Sequence, residues 1–169
     1  DGPRLGNVSW ASTVNGRVIG QPAVDSDGNI LMATASGWLH VLGPSGNTLH
    51  TIRLGAPSSS TPAITQAGVV IVCTRNGKVT AYDRAFHVVW TENLGGEILS
   101  NPVLDDENHL VAISSRDNTI ALDARTGALR YRWSAGNKKN NSSPTLGADG
   151  NIRITNWGGI AVAISPLGS

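Results

Sequence analysis

Four stretches of this chain resemble one another from end to end: QPAVDSDGNILMATASGWLHVL (residues 21–42), TPAITQAGVVIVCTRNGKVTAY (61–82), NPVLDDENHLVAISSRDNTIAL (101–122) and SPTLGADGNIRITNWGGIAVAI (143–164). They align without a gap, and the second residue of each is a proline. Self-similarity at a period of about 40 residues indicates stacked supersecondary units. The content of one unit therefore decides the fold.

One unit contains the signals of four short strands. A turn dipeptide such as Asp27-Gly28 follows each proline, and alternating apolar residues come next, which indicates a hairpin. A second turn recurs at Gly37 and its equivalents, and no window keeps a helical period over three turns. Four antiparallel strands in about 40 residues are typical of a propeller blade, with the proline opening the innermost strand. The predicted fold class is all-β: a β-propeller with about four four-stranded antiparallel blades.

The repeat resembles the quinoprotein-like (PQQ-like) β-propeller repeat, whose pattern is SPA(V/I)xxDGxIxVxSxDGxLxALDxxTGxxxW. The third unit is the most similar, with NPV at 101–103 and ALDARTG at 121–127. The tryptophan position of the family holds His50 or Ile52 in the first unit, Trp90 in the second, and Tyr131, followed two residues later by Trp133, in the third. The resemblance covers essentially the whole chain and implies the propeller fold, whereas function needs separate evidence.

We expect a single propeller domain over residues 1–169. It divides into an outer strand and link (1–20), three repeats (21–60, 61–100 and 101–142) and a partial repeat (143–169). Residues 1–10, DGPRLGNVSW, resemble the end of a unit, so this segment either closes the last blade within one chain or is exchanged between two chains. The family resemblance implies rings of seven or eight blades. We therefore expect about half of a larger ring, formed by dimerisation or present as a fragment.

Composition excludes several classes of function. The chain has 13 Lys and Arg against 12 Asp and Glu, a net charge of +1, which argues against an electrostatic nucleic-acid binder. No apolar run approaches the roughly 20 residues of a membrane span, so we expect no direct membrane insertion. The single cysteine, Cys73, ends an apolar run and is expected to be a buried, inert thiol.

The sequence offers no recognisable catalytic chemistry. The four histidines have no metal-ligand spacing, and no nucleophile elbow, P-loop or dinucleotide fingerprint is present. The acidic residues 105–107 fall in a hairpin turn, where a turn role is favoured over a calcium site. The resemblance implies that enzymatic members hold pyrroloquinoline quinone with a tryptophan, a cysteine pair and calcium, and no such set matches here. No catalytic, cofactor-binding or metal residue and no cofactor are predicted, although enzymatic activity stays open.

Loops on a rigid scaffold commonly carry binding residues. In a propeller, the turns between second and third strands emerge on the same face as the links between blades. The candidate binding face on those turns contains Trp38, Arg75, Asn76, Arg116, Asp117 and Trp157. Arginine and tryptophan are frequent hot-spot residues. The alternative is that these residues belong to ordinary blade turns, with the two tryptophans covering the core.

The leading hypothesis is a non-catalytic propeller that serves as a scaffold or binds a protein or small molecule, as in the outer-membrane assembly lipoproteins and sensor ectodomains that it resembles. One alternative is a fragment of a PQQ-dependent dehydrogenase whose site lies in missing blades. Another is an excised or engineered half-propeller. The expected partners are a protein and a second copy of this chain, bound through the terminal strands. A periplasmic or extracellular location follows from the resemblance alone.

Overall fold

The computed structural model describes residues 6–105, 107, 109–116, 118–134, 142–147, 149–156 and 158–165. These residues form fifteen strands and no helix. The strands are β1 (Ala23–Val24), β2 (Ile30–Ala33), β3 (Trp38–Leu42), β4 (Thr48–Arg53), β5 (Ala63–Ile64), β6 (Val70–Cys73), β7 (Lys78–Tyr82), β8 (Val88–Asn93), β9 (Val103–Leu104), β10 (Leu110–Ser115), β11 (Asn118–Asp123), β12 (Leu129–Ser134), β13 (Thr145–Leu146), β14 (Ile152–Thr155) and β15 (Ala161–Ile164). No helix in the described part of the chain has the length and apolar character needed to cross a membrane.

The strands form four antiparallel sheets in chain order. Blade 1 contains β1–β4, blade 2 β5–β8, blade 3 β9–β12 and blade 4 β13–β15. The predicted all-β fold of antiparallel four-stranded blades is confirmed, and blade 4 has three strands among the described residues. Each innermost strand is two residues long and directly follows a proline. The missing proline N–H costs little there because the position lies at the start of an edge strand.

Blade 3 departs from the gapless alignment by one residue. The Asp25 N–H donates to Asn29 O (3.0 Å) across the first turn of blade 1, whereas the Asp105 N–H donates to Leu110 O (3.1 Å). The second turn of blade 3 is one residue shorter, which restores the spacing. The strand pairing therefore makes Val111 the equivalent of Ile30. The distinction matters because a one-residue shift moves side chains to the opposite face of a strand.

The blades pack face to face. We call the face that contacts the preceding blade the leading face, and the face that contacts the next blade the trailing face. The trailing face of blade 1 packs against the leading face of blade 2, and this junction buries Leu31, Leu39, Val41, Val70, Val72 and Tyr82. Equivalent apolar clusters join blades 2 and 3 and blades 3 and 4. The middle blades are thus covered on both faces, which is why all four residues of β6 are buried.

Side-chain acceptors connect the starts of the innermost strands. The Gln21 N–H donates to Thr61 Oγ1 (2.9 Å), the Thr61 N–H to Asn101 Oδ1 (2.8 Å), and the Asn101 N–H to Ser143 Oγ (3.0 Å). We call this series the inner ladder. The ladder is formed by the residues that directly precede the proline of each repeat. These residues have an N–H to donate, whereas the proline itself has none.

The outer strands are joined by a side-chain contact with the next blade. Trp90 is 8% exposed, and its indole N–H donates to Ala124 O (3.0 Å). Its ring lies on Gly127, where a Cβ would come within 2.8 Å of it. Blade 1 has His50 at the equivalent position, and its ring packs against Phe86 with centroids 4.7 Å apart. The tryptophan position of blade 1 is therefore His50 rather than Ile52.

Candidate functional site

The turns between second and third strands share one end of the blades with the links, which we call the link end. A backbone hydrogen bond joins each of the links that precede blades 1, 2 and 3 to the next such turn. The bonds run from Ala35 N–H to Arg17 O (2.8 Å), from Arg75 N–H to Pro57 O (2.8 Å) and from Arg116 N–H to Glu97 O (2.9 Å). The link end is therefore a continuous hydrogen-bonded surface across three blades.

Two of the predicted site residues meet at Glu97. The Arg75 guanidinium donates to Glu97 Oε1 (2.9 Å from Nε), while the Glu97 carbonyl accepts the Arg116 N–H. Arg75 and Glu97 side chains are 45% and 38% exposed, so the pair lies at the surface and contributes little to stability. The sequence analysis missed Glu97. The feature of the sequence that could have indicated Glu97 is an acidic residue in the link that faces the turn carrying Arg116.

Trp38 lies half-buried at the start of β3. The guanidinium carbon of Arg53 lies 5.1 Å from the centroid of the Trp38 ring, and the two residues are cross-strand partners. A cation over an indole face is a favourable arrangement, and it leaves the exposed Arg53 at the link end. Asn76 accepts a hydrogen bond from Thr74 Oγ1 (2.7 Å), so its carboxamide shapes its own turn. The other two predicted residues, Asp117 and Trp157, lie outside the described residues.

Charge is divided between the two ends of the blades, although the chain as a whole is nearly neutral. We call the end opposite the link end the turn end, because it carries the turns between first and second and between third and fourth strands. The described charges of the link end are Arg17, Arg53, Arg75, Lys78 and Arg116 against Glu92 and Glu97. Those of the turn end are Asp25, Asp27, Asp83, Asp105, Glu107, Asp123 and Asp149 against Arg84, Arg125, Arg130 and Arg153. The link end is basic and the turn end is acidic.

A cleft of about 810 Å³ opens at the turn end between blades 2 and 3. Four of its titratable groups form two pairs: Asp123 with Arg130 (2.6 Å) and Glu107 with His109 (3.1 Å). The Arg130 guanidinium, with two backbone N–H donors, lowers the pKa of Asp123 to about 2. A carboxylate held ionised in this way stabilises its turn and is a poor proton donor near neutral pH.

His40 and Cys73 have structural positions. Asn15 N–H donates to His40 Nε2 (3.2 Å), and the His40 ring is buried beneath the chain that precedes blade 1. Cys73 is fully buried, and burial raises the pKa of its thiol well above the usual range. Within the described residues, no three His, Cys, Asp or Glu side chains come together in a way that could hold a metal ion.

Comparison with known proteins identifies the family. A family model described as outer membrane protein assembly factor BamB matches residues 2–86 and 75–167. The chain belongs to this family. It is 28% identical to BamB of Yersinia pestis over 149 residues, which are 78% of this chain and 37% of that protein. It is also 28% identical to BamB of Moranella endobia over 155 residues, covering 81% of this chain and 39% of that protein.

Solved structures agree with the fold. BamB from Moraxella catarrhalis superposes with a TM-score of 0.76 at 23% identity, over 89% of this chain and 47% of that chain. The C-terminal WD40 domain of Sif2 gives 0.79 at 12% identity, over 91% and 47%. The computationally designed Ika4 protein gives 0.82 at 11% identity, over 95% and 99%. The chain thus spans less than half the length of the BamB relatives that it matches.

Proposed function

We propose that this chain is a non-catalytic propeller module that binds a protein partner through its link end, in the periplasm. The observation that carries the proposal is the construction of that end. Exposed arginines stand on a hydrogen-bonded surface that spans three blades, whereas the titratable pairs of the cleft at the turn end hold their own turns together. The description of the relatives as outer membrane protein assembly factors supports a protein-binding role and this location.

The expected partner surface is acidic. Arg53 lies over Trp38 and Arg116 is exposed, so two guanidinium groups are available to carboxylates at the link end. Arginine binds carboxylates through paired, charge-assisted hydrogen bonds. Arginine and tryptophan also dominate the energetics of many protein interfaces. Because the attraction is partly between exposed charges, binding should weaken as salt concentration rises.

Site-specific photo-crosslinking tests this proposal. A photoreactive residue is placed at Arg116 or at Arg53, and at Arg84 or Arg125 of the turn end as matched controls, in chains exported to the periplasm of a Gram-negative bacterium. We expect a discrete crosslinked protein from the two link-end positions, with little from the two turn-end positions. In a chain labelled at Arg53, Arg116→Glu should lower the yield about tenfold, corresponding to about 1.4 kcal/mol. Crosslinks confined to the turn end, or equal at both ends, would contradict the proposal.

The proposal also includes self-association of the chain through its terminal strands. Strand edges with unpaired backbone groups favour the addition of another strand. Blade 4 has three strands among the described residues, and none of the described strands pairs with the outer edge of its last strand, β15.

A further inference from the structure

At two junctions of the turn end, a space separates the first turn of one blade from the turns of the next. The space between blades 1 and 2 has a volume of about 100 Å³, whereas the cleft between blades 2 and 3 has about 810 Å³. The two are equivalent in position, because the first turn of blade 1 lines the smaller space and the first turn of blade 2 lines the cleft. The two junctions therefore differ in the side chains that fill them.

Two side chains of blade 2 fill the smaller space. Arg84 lies over the first turn of its own blade, where its Nε–H donates to Ala67 O (3.1 Å) and where a Cβ at Gly68 would meet its side chain. Phe86 packs against His50 of blade 1, with ring centroids 4.7 Å apart. A long side chain and an aromatic ring thus close this junction.

Blade 3 has a small residue at the position of Arg84. In the turn between third and fourth strands, the residue that directly follows the aspartate is Arg84 in blade 2 and Ala124 in blade 3. Where blade 2 has Phe86, blade 3 has Gly127, and the Trp90 ring occupies the space beside this glycine. The cleft therefore opens at Ala124, where a methyl group replaces a long side chain.

Apolar side chains line both sides of the cleft. Blade 2 contributes the exposed Ala67 and the half-buried Val69, and blade 3 contributes Ala124. Ligand sites in proteins are typically clefts of roughly 300–1,000 Å³ with apolar walls and a few polar groups that fix the orientation of the ligand. The cleft has the size and the walls of such a site.

Arg125 supplies a polar group that a ligand can use. The other four titratable side chains of the cleft form two pairs, whereas the Arg125 guanidinium has no hydrogen bond or ion pair with any described residue. The backbone of Arg125 is held in place, because its N–H donates to Asp123 Oδ1 (3.0 Å). A guanidinium binds a carboxylate through two parallel, charge-assisted hydrogen bonds. Arg125 can therefore bind a carboxylate in the cleft.

The neighbouring carboxylates restrict the charge of a ligand. Asp123 and Glu107 also line the cleft, and each already has one basic partner. Arg125 balances a ligand with one negative charge. A second negative charge on the ligand would be repelled by both carboxylates, because like charges in one site are unfavourable. The cleft therefore favours a monoanion over a dianion such as a phosphate ester.

We propose that the cleft between blades 2 and 3 binds a small organic acid that has a single carboxylate and an aliphatic body. The carboxylate accepts hydrogen bonds from the Arg125 guanidinium, and the aliphatic body packs against Ala67, Val69 and Ala124. This site lies at the turn end, opposite the surface proposed for a protein partner, and it goes beyond that proposed function. Binding at the two ends can therefore be measured separately.

Titration of the isotope-labelled chain with four small molecules, followed by NMR of its backbone amides, tests the site. Isocaproate is the expected ligand, and it should shift the N–H signals of Ala67 and Thr126 to saturation, with a dissociation constant on the order of 1 mM. Isocaproamide lacks the charge, acetate lacks the aliphatic body, and isoamyl phosphate has a second charge at about pH 8. Each of these three should bind at least about tenfold more weakly than isocaproate.

Substitutions of Arg125 assign the binding to its side chain. Arg125→Gln should lower the affinity for isocaproate at least about tenfold. Arg125→Lys should retain part of the affinity, because lysine keeps the charge but not the forked donors. Arg132→Gln is the matched control, since it removes the same charge from an exposed position of the same blade outside the cleft, and it should leave the affinity unchanged. The amide spectra also show whether each variant keeps the fold.

Four results would overturn the proposal. They are the absence of a saturable shift with isocaproate, equal or tighter binding of any of the three comparison molecules, unchanged affinity in Arg125→Gln, and shifts confined to residues outside the cleft. None of these results would alter the crosslinking pattern expected of the link end, so the two proposals fail separately.

Discussion

The aspartate of the repeat acts as a cap for the turn that follows the third strand. Asp83 Oδ1 accepts the N–H groups of Ala85 (2.9 Å) and His87 (2.8 Å). Asp123 Oδ1 is the acceptor for two N–H groups of its own turn, and Arg130 binds its second oxygen. These donors lower the pKa of both carboxyls. The ALDxxTG segment of the repeat is thus a turn held by its own carboxylate.

We predict that Asp123 makes stability depend on pH in the acid range. Its pKa is about 2 in the folded chain against about 4 when unfolded, so the folded state binds the ionised form better. The contribution is present above pH 4 and is lost as pH falls from about 4 to about 2. It amounts to roughly 1–2 kcal/mol, since one pKa unit corresponds to 1.36 kcal/mol and solvent screens the pair with Arg130, whose side chain is 56% exposed.

Urea unfolding between pH 2 and pH 5 measures this effect. Asp123→Asn should lower the free energy of unfolding at pH 5. It should also reduce, by about that amount, the loss of stability between pH 5 and pH 2. Arg130→Gln should flatten it only in part, because the backbone donors to Asp123 remain. An unchanged slope in Asp123→Asn would contradict the assignment.

At the scale of elements, the contact between an outer strand and the next turn occurs in two forms. The Trp90 ring needs Gly127, since any side chain at that position would meet the ring. His50 is smaller, and Phe86 fills the space that the indole would occupy. Phe86 has φ of +62°, a left-handed conformation that is unfavourable for a residue with a Cβ. The packing of the Phe86 ring against the His50 ring offsets this backbone cost.

We predict that the two forms can be exchanged only as pairs. His50→Trp alone should destabilise because its ring meets Phe86, and Phe86→Gly alone should lose the ring contact while relieving the backbone. The double variant should be more stable than the sum of the single changes predicts, by about 1 kcal/mol or more. Denaturation of the four proteins at one fixed chain concentration measures the coupling. Additive single effects would show that the rings do not determine one another.

At the scale of the whole molecule, burial falls from the middle blades to the ends. Strands β6, β7, β10 and β11 are packed between two neighbouring blades, and nearly all of their residues are buried. In β15, residues alternate between exposed and half-buried because only one face is packed. Segments with few buried contacts open at lower free energy than the rest of a fold.

We predict a matching order of amide hydrogen exchange. At low chain concentration, β6 and β10 should exchange slowest, and β15 at least about tenfold faster. If copies associate as proposed, protection of β15 should rise with chain concentration while that of β6 stays constant. Mass spectrometry of peptides covering these strands checks both statements. Uniform protection at all concentrations would contradict the order.

The sequence by itself determined the strands, their antiparallel blades and the structural role of Trp90, because a repeated spacing of prolines, turns and apolar residues encodes local geometry in every unit. It also predicted which turns share an end of the blades, since strand alternation decides this once the blade is known. The sequence did not reveal the extra residue in the first turn of blade 3, because the shorter second turn restores the alignment of the repeats.

Only the tertiary structure decided which side chains meet across strands and blades. Arg75 with Glu97, Arg53 with Trp38, and Trp10 with Pro44 join residues that lie far apart in the chain or on different strands. The repeat pattern specifies what each unit becomes but not the side chains that its neighbour offers. Contacts of this kind depend on how blades stack, since burial against a neighbouring sheet, rather than local propensity, selects the partner.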